Sequence, residues 1–306
     1  MMTDFHGIIP PLLTPRTSDG EIDRAGIAAL VDHLVAGGVH GVFVLGSSGE
    51  VPYLTNDERD LVLATALEAA AGRVPVLVGI SEQTTTRVID EADRLLAIGG
   101  DAAVVTTPFY ALSDAAEVER HLRAVAAHVS VPVFAYDVPV RTHMKMPLDL
   151  LVRLAEEGVI AGVKDSSGDD VGFRRLLLAT KHLPDFAVFT GHEVVTDGAM
   201  LGGAAGIVPG LGNVDPAGYV RTYDAAKAGD WTAAVTEQDR VARLFDITGA
   251  ATPGRVSAGA AGLGGFKTAL QLMGIIDSNR MAEPMEALDA AETERVREII
   301  TAAGLL

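Results

Sequence analysis

The chain reads as an α/β protein, a closed (β/α)8 (TIM) barrel followed by a C-terminal helical extension, and three features of the sequence point there. Eight short apolar segments alternate with segments of helical periodicity, at a spacing of roughly 20 to 35 residues that fits a parallel sheet with crossover helices. The first apolar segment leads into Pro10-Pro11-Leu12-Leu13-Thr14-Pro15, which has nothing of the glycine fingerprint that an open nucleotide-binding sheet carries there. From Pro216 onward the periodicity is helical throughout. A length of 306 residues suits one barrel with additions. We expect the barrel over residues 1–228, with the helices of 229–306 packed on it as an extension.

Taken in order, the first strand is expected within residues 7–14. Ile27, Leu30, Val31, Leu34 and Val35 then share one helical face, which Gly37-Gly38 ends. Residues 41–45 are an unbroken apolar run, as in strands buried on both faces, and Gly46-Ser47-Ser48-Gly49-Glu50 turns the chain toward a helix over 56–71. Strands at 76–80, 102–106, 131–136 and 159–164 alternate with helices at 84–98, 114–129 and 147–157. Asp114 is a candidate N-cap. Helices over 171–182 and 193–201 precede the last two strands, at 186–190 and 205–208 respectively. The extension is expected as helices at 216–227, 231–247, 266–275 and 284–303, with the glycine-rich 249–265 as a connecting loop.

Hydrophobic residues make up 48% of the chain and charged ones 21%, a globular balance. The formal net charge of −17 opposes binding to nucleic-acid backbones and anionic membranes. An anionic substrate would therefore need local positive charge at its site. With no cysteine, disulfides, thiol nucleophiles and cysteine-ligated metals are excluded. The start Met-Met-Thr-Asp-Phe-His-Gly lacks the basic opening and apolar run of a signal peptide. No apolar run reaches the roughly 18 residues of a membrane span, so a cytoplasmic location is expected.

Barrel chemistry sits at the C-terminal ends of the strands. Those ends carry Thr14, Ser47-Ser48, Ser81, Thr107, Tyr110, Tyr136, Lys164, Gly191 and Val208. The rim lacks the several histidines or carboxylates that a metal-dependent barrel needs, and no metal or cofactor is expected. Lys164 ends the apolar run Val159–Val163. Burial disfavours a charged amine, and an uncharged amine is what attacks a ketone to form a Schiff base. The same residue also reads as a lysine that snorkels to the surface. Gly46-Ser47-Ser48-Gly49 could cradle a small carboxylate or serve as an ordinary turn, and Tyr136 could relay protons or fill the core. Gly191 and Val208 are expected to bound the substrate. Gly262-Leu263-Gly264-Gly265-Phe266-Lys267-Thr268 fails as a phosphate loop, because Phe266 stands where glycine must precede the lysine.

Four motifs resemble those of one family. Gly46-Ser47-Ser48-Gly49-Glu50 is similar to G-[ST]-[ST]-G-E, Thr107-Pro108-Phe109-Tyr110 to T-P-[YF]-Y, Tyr136-Asp137-Val138-Pro139 to Y-N-x-P, and Gly162-Val163-Lys164-Asp165 to G-[IV]-K-[DE]. In this order and spacing they resemble the dihydrodipicolinate synthase and N-acetylneuraminate lyase group of class I, pyruvate-handling aldolases, and the similarity extends over nearly the whole chain. The resemblance implies that Lys164 attacks the ketone of pyruvate while Tyr136 shuttles protons. It implies that Ser47 and Ser48 hold the pyruvate carboxylate, and that Ser48 links Tyr136 to Tyr110. The tyrosine matching Tyr110 reaches in from a neighbouring subunit, which implies a homo-oligomer, at least a dimer and usually a tetramer (a dimer of dimers).

Arg141 matches the arginine with which dihydrodipicolinate synthases hold the carboxylate of aspartate semialdehyde, a task suited to a bidentate guanidinium. That favours the synthase over a retro-aldol lyase or dehydratase for a 2-keto-3-deoxy sugar acid or N-acetylneuraminate, and over a non-catalytic keto-acid sensor. Several positions depart from the synthases. Ser47-Ser48 replaces Thr-Thr, Asp137 replaces Asn, and His143 stands where Gly is common, which implies an altered second-substrate pocket. At the positions of the bacterial lysine-inhibition site, Asn56 and Arg59 replace histidines, Arg87 a glutamate and Phe109 a tyrosine. Lysine added to an activity assay is expected to leave the rate unchanged; strong inhibition would contradict this reading.

Overall fold

In a computed structural model, which describes residues 5–306, the chain forms one sheet of eight strands. Residues 1–4, the beginning of the stretch read for a signal peptide, lie outside the described residues. The strands are β1 (Gly7–Ile8), β2 (Val42–Val44), β3 (Val76–Gly79), β4 (Ala102–Thr106), β5 (Val133–Asp137), β6 (Gly162–Asp165), β7 (Ala187–Thr190) and β8 (Gly206–Ile207). Every pairing is parallel and the order is β1-β8-β7-β6-β5-β4-β3-β2. The ring closes between β1 and β2. There the chain just beyond β1 bridges Pro11 to Phe43, with Phe43 N–H donating to Pro10 O at 2.9 Å and Leu12 N–H to Phe43 O at 2.8 Å. The first strand is shorter than expected because two prolines lack the N–H a continuous ladder needs.

Between the strands run α1 (Arg24–Ala36), α2 (Asn56–Ala70), α3 (Thr85–Ile98), α4 (Ala115–His128), the single turn α5 (Pro139–Thr142), α6 (Leu148–Glu156), α7 (Asp170–Ala179) and α8 (Thr196–Gly202). Five of them, α1, α2, α3, α4 and α7, start on a side-chain cap that the sequence supplies. Asp114 accepts from Glu117 N–H and Glu117 answers to the Asp114 N–H, a reciprocal capping box, and Thr55 with Glu58 does the same for α2. The extension comprises α9 (Pro216–Ala228), α10 (Trp231–Leu244), α11 (Ala258–Leu272) and α12 (Ala290–Ala302). Among the described residues no helix is long and apolar enough to cross a membrane.

Two expectations about the extension are corrected. Helix α11 begins at Ala258, inside the stretch read as a loop, because Ser257 caps it through Ala260 N–H and because its glycines permit close packing. A Cβ on Gly265 would lie 2.4 Å from Ile247 O, so tertiary contact outweighs the roughly 1 kcal/mol that glycine costs in a helix. Helix α12 begins at Ala290 rather than 284, where Asp289 and Glu292 form another capping box.

Side chains alternate across the strands and build two apolar layers. Phe43, Leu77, Val104, Phe134, Phe189 and Val208 fill the barrel, while Val44, Val78, Ala103, Ala135 and Val163 pack outward under the helices. By this alternation Tyr136 of β5 and Lys164 of β6 belong inside, and Asp137 and Asp165 outside. Glu50, which ends the Gly46–Glu50 turn, and Lys267 of α11 are fully buried with Nζ 2.5 Å from Oε1. Glu50 Oε2 accepts from Ala282 N–H at 3.0 Å, and Lys267 donates to Arg280 O at 2.9 Å. The glycine-rich run ending in Lys267 is thus helix interior, and its cation ties the extension to the barrel.

Removing one partner of a buried pair strands the other charge, at a cost of about 3–5 kcal/mol. Lys267→Met is therefore expected to lower unfolding free energy in urea by about that amount, with Glu50→Gln in the same chain recovering much of the loss. A Lys267→Met protein as stable as the parent would contradict the pairing.

Candidate active site

Lys164 stands at the inner, C-terminal end of β6, only 6% exposed, and its Cα is the register partner of Tyr136 on β5. Its Nζ lies 4.1 Å from the centroid of the Tyr136 ring and 4.8 Å from that of Phe43. The two rings meet edge-on at 6.2 Å, forming an aromatic corner around the amine. The Tyr136 hydroxyl hydrogen-bonds with Ser47, Ser166 and Lys164. Burial pushes the phenol's pKa up, but the Lys164 charge and these hydrogen bonds outweigh it, so it settles below its ordinary value. A phenol eased toward ionisation beside an amine is equipped to give and take protons.

The aromatic corner opens into a cavity of about 300 Å³. Phe43, Tyr136, Ser47, Thr106 and Arg141 contribute to its wall, and Ser257, Gly259 and Ala260 at the start of α11 close one side. The extension thus completes the site, a contribution hidden while 249–265 read as a loop. Arg141 sits on α5, and its guanidinium packs over Gly259, where a Cβ would come within 3.1 Å of Nη2. Thr106 also lines the cavity, and its Oγ1 is buried without a protein partner.

The remaining expected site residues fall as follows. Ser47 and Ser48 share a 3-10 turn, Ser47–Gly49, flanked by the left-handed residues Leu45 and Glu50 (φ 60° and 59°). Ser47 faces the cavity and Tyr136; Ser48 is half-buried outside the cavity wall. Tyr110 is 89% exposed on the loop after β4, with φ 72°, and is not brought to Tyr136 within the chain. Gly191 donates its N–H to Asp165 O at 2.7 Å, and a Cβ there would meet Ser166 Oγ at 2.1 Å, so its smallness makes room for Ser166. Val208 packs in the inner layer with Phe43 and Tyr136.

Asp137 does not shape the second-substrate pocket as its departure from the motif had implied. It is the residue after Tyr136, so strand alternation turns it outward, where Lys145 and the Met146 N–H take up its carboxylate. His143 is exposed and ends α5 in a left-handed conformation. His192 lies in the loop after β7, its Nδ1 3.0 Å from Asp170 Oδ1. Arg59 is buried with Nη1 2.8 Å from both Glu82 and Glu91, and Nη2 donates to Val51 O.

Sequence reading missed Ser166, although its polar turn directly follows the lysine strand. It also missed Glu193, which had been absorbed into an expected helix; α8 begins only at Thr196. Glu193 Oε1 accepts from Leu211 N–H at 2.6 Å. Desolvation raises its carboxyl pKa to about 7, against the Leu211 hydrogen bond and the Lys164 charge. The Lys164 charge thus reaches this buried acid, and carboxyls so shifted cluster at functional sites. Among the described residues no three histidine, aspartate or glutamate side chains are grouped to hold a metal ion.

Comparison with known proteins bears on this constellation. The family model for the dihydrodipicolinate synthetase family matches residues 4–303. A DapA-like lyase of Halobacterium salinarum is 33% identical over 302 residues, covering 99% of this chain and 95% of the relative. A 4-hydroxy-tetrahydrodipicolinate synthase of Phenylobacterium zucineum is 35% identical over 242 residues, covering 78% and 81%. The solved dihydrodipicolinate synthase of Bacteroides thetaiotaomicron superposes with a TM-score of 0.91 at 32% identity, over 99% of this chain and 100% of that one. YagE of E. coli K12, a prophage protein of the same family solved in complex with pyruvate, gives 0.91 at 28% identity with the same coverage. The chain, an eight-stranded barrel with a lysine, a tyrosine and a serine gathered at its mouth, therefore belongs to the dihydrodipicolinate synthetase family of aldolase-type lyases.

Proposed function

We propose that this lyase works through a Schiff base on Lys164, and that it condenses pyruvate with aspartate semialdehyde as a 4-hydroxy-tetrahydrodipicolinate synthase. The observation that carries the reading is the Lys164 amine set against the Tyr136 ring, with Tyr136 hydrogen-bonded to Ser47 and Ser166 at the edge of a cavity that Arg141 overlooks. The amine adds to the pyruvate ketone. Tyr136 delivers a proton to the carbinolamine hydroxyl, water leaves, and the protonated imine remains. The imine is the electron sink, so loss of a methyl proton gives the enamine with no cofactor. The enamine carbon bonds to the aldehyde carbon, whose oxygen takes a proton. Hydrolysis of the imine or cyclisation onto it then frees Lys164. Ser47 and Ser48 are assigned to the pyruvate carboxylate, and Arg141 to the carboxylate of the second substrate. Gly191 and Val208 bound the site.

Assembly belongs to the same reading. Tyr110, Leu112 and Val140 are 89%, 73% and 74% exposed, and solvent-facing apolar groups of this size near a site mark contact surfaces. Val171 and Leu178 on α7 and Leu201 on α8 are exposed elsewhere on the surface. These exposed side chains are assigned to subunit contacts of a dimer of dimers in which Tyr110 enters a neighbour's site.

A second reading, cleavage or dehydration of a 2-keto-3-deoxy sugar acid, is favoured by one observation. Thr106 lines the cavity and its buried hydroxyl has no protein partner, which a substrate hydroxyl would supply.

Borohydride with pyruvate is expected to trap a covalent adduct on Lys164 that is absent in Lys164→Ala. No adduct in the parent protein would overturn the Schiff-base reading. Arg141→Ala is expected to lower kcat/KM for aspartate semialdehyde by about 10- to 100-fold, the loss of one charge-assisted hydrogen-bond partner, while trapping of pyruvate continues. Intact semialdehyde turnover in that variant would overturn the role given to Arg141, and turnover only of deoxy sugar acids by the parent would replace the synthase reading with the second one.

A further inference from the structure

We infer that Lys145 is a positioning residue for the reaction, bracing from outside the barrel the two strand ends that carry Tyr136 and Lys164. The inference rests on the Schiff-base reading above but not on the identity of the second substrate. Asp137 and Asp165 immediately follow Tyr136 and Lys164, and they are register partners across β5 and β6. Their side chains are 0% and 4% exposed. Two desolvated carboxylates on adjacent strands repel, and they would push apart the very residues that must stay together. Lys145, from the loop after α5, places its Nζ 2.6 Å from Asp137 Oδ2 and 3.0 Å from Asp165 Oδ2.

The other oxygens are fixed as well. Asp137 Oδ1 accepts from Met146 N–H at 3.2 Å and Asp165 Oδ1 from Ser167 N–H at 2.8 Å. The Asp137 carbonyl accepts the Ser166 N–H at 2.8 Å, so the brace also holds the serine that bonds the Tyr136 hydroxyl. Burial and the Asp165 charge push the Asp137 carboxyl above its ordinary range, and Lys145 opposes them. Back to back with the aromatic corner, the ion triad keeps the amine and the phenol at their spacing. A displacement on the order of 1 Å at reacting groups can cost roughly 100-fold in rate.

The test follows the pyruvate adduct by borohydride trapping at a temperature where each variant is folded. Lys145→Met is expected to slow the limiting rate of trapping by about 10- to 100-fold, with the half-saturating pyruvate concentration changed little. Lys145→Arg, which keeps the bridging charge, should recover most of the rate. So should Asp137→Asn combined with Lys145→Met, which removes the repulsion together with its remedy. Trapping at the parental rate in Lys145→Met overturns the brace. So does a double variant that folds yet stays slow, and this second arm decides the matter even if Lys145→Met alone does not fold. Absence of adduct in the parent protein would be a failure of the Schiff-base reading, visible before any Lys145 variant is compared.

Discussion

The parallel pairing of β5 with β6 is the constraint on which the site depends. It sets Tyr136 beside Lys164 in register, and because side chains alternate along a strand, it sends both inward and both following aspartates outward. A strand ladder has little freedom to slide, since a slip of one residue would turn every side chain to the wrong face. The amine and the phenol are thereby held by backbone hydrogen bonds rather than by flexible loops. Phe43 of β2, at the barrel closure, completes the corner, and Gly162 on β6 leaves room for Phe134, whose ring a Cβ there would approach to 2.5 Å.

Charge is managed one group at a time in a chain of net charge −17. Lys267 is paired with Glu50, Lys145 with two aspartates, and Arg59 with Glu82 and Glu91. Each of these cations is committed to structure. Of the two arginines on the cavity wall, Arg141 is the one with no carboxylate partner among the described residues, so its charge is available to an anion.

Much of this was legible in the sequence because it lies in periodicity and strand-end chemistry. The apolar runs and capping residues such as Asp114 located the barrel elements, and the lysine closing the sixth run marked the centre of the site. What stayed hidden depended on contacts between distant segments. The helix over Gly259–Gly265 looks like a loop until Ile247 is packed against Gly265. Glu193 looks like a helix start until the carboxyl is found desolvated under Leu211. Asp137 looked like part of the pocket because motif matching gives position along the chain, not the face of the strand. Ser166 matters only because Gly191, in the loop after β7, leaves it room.

Crystals of the protein soaked with pyruvate would decide whether Lys164 is the Schiff-base amine. Continuous density is expected from Lys164 Nζ to the pyruvate C2, with the Tyr136 hydroxyl within hydrogen-bonding distance of that bond and the carboxylate against the Ser47–Gly49 turn. Pyruvate bound without a bond to Lys164, or bonded with Tyr136 turned away, would contradict it.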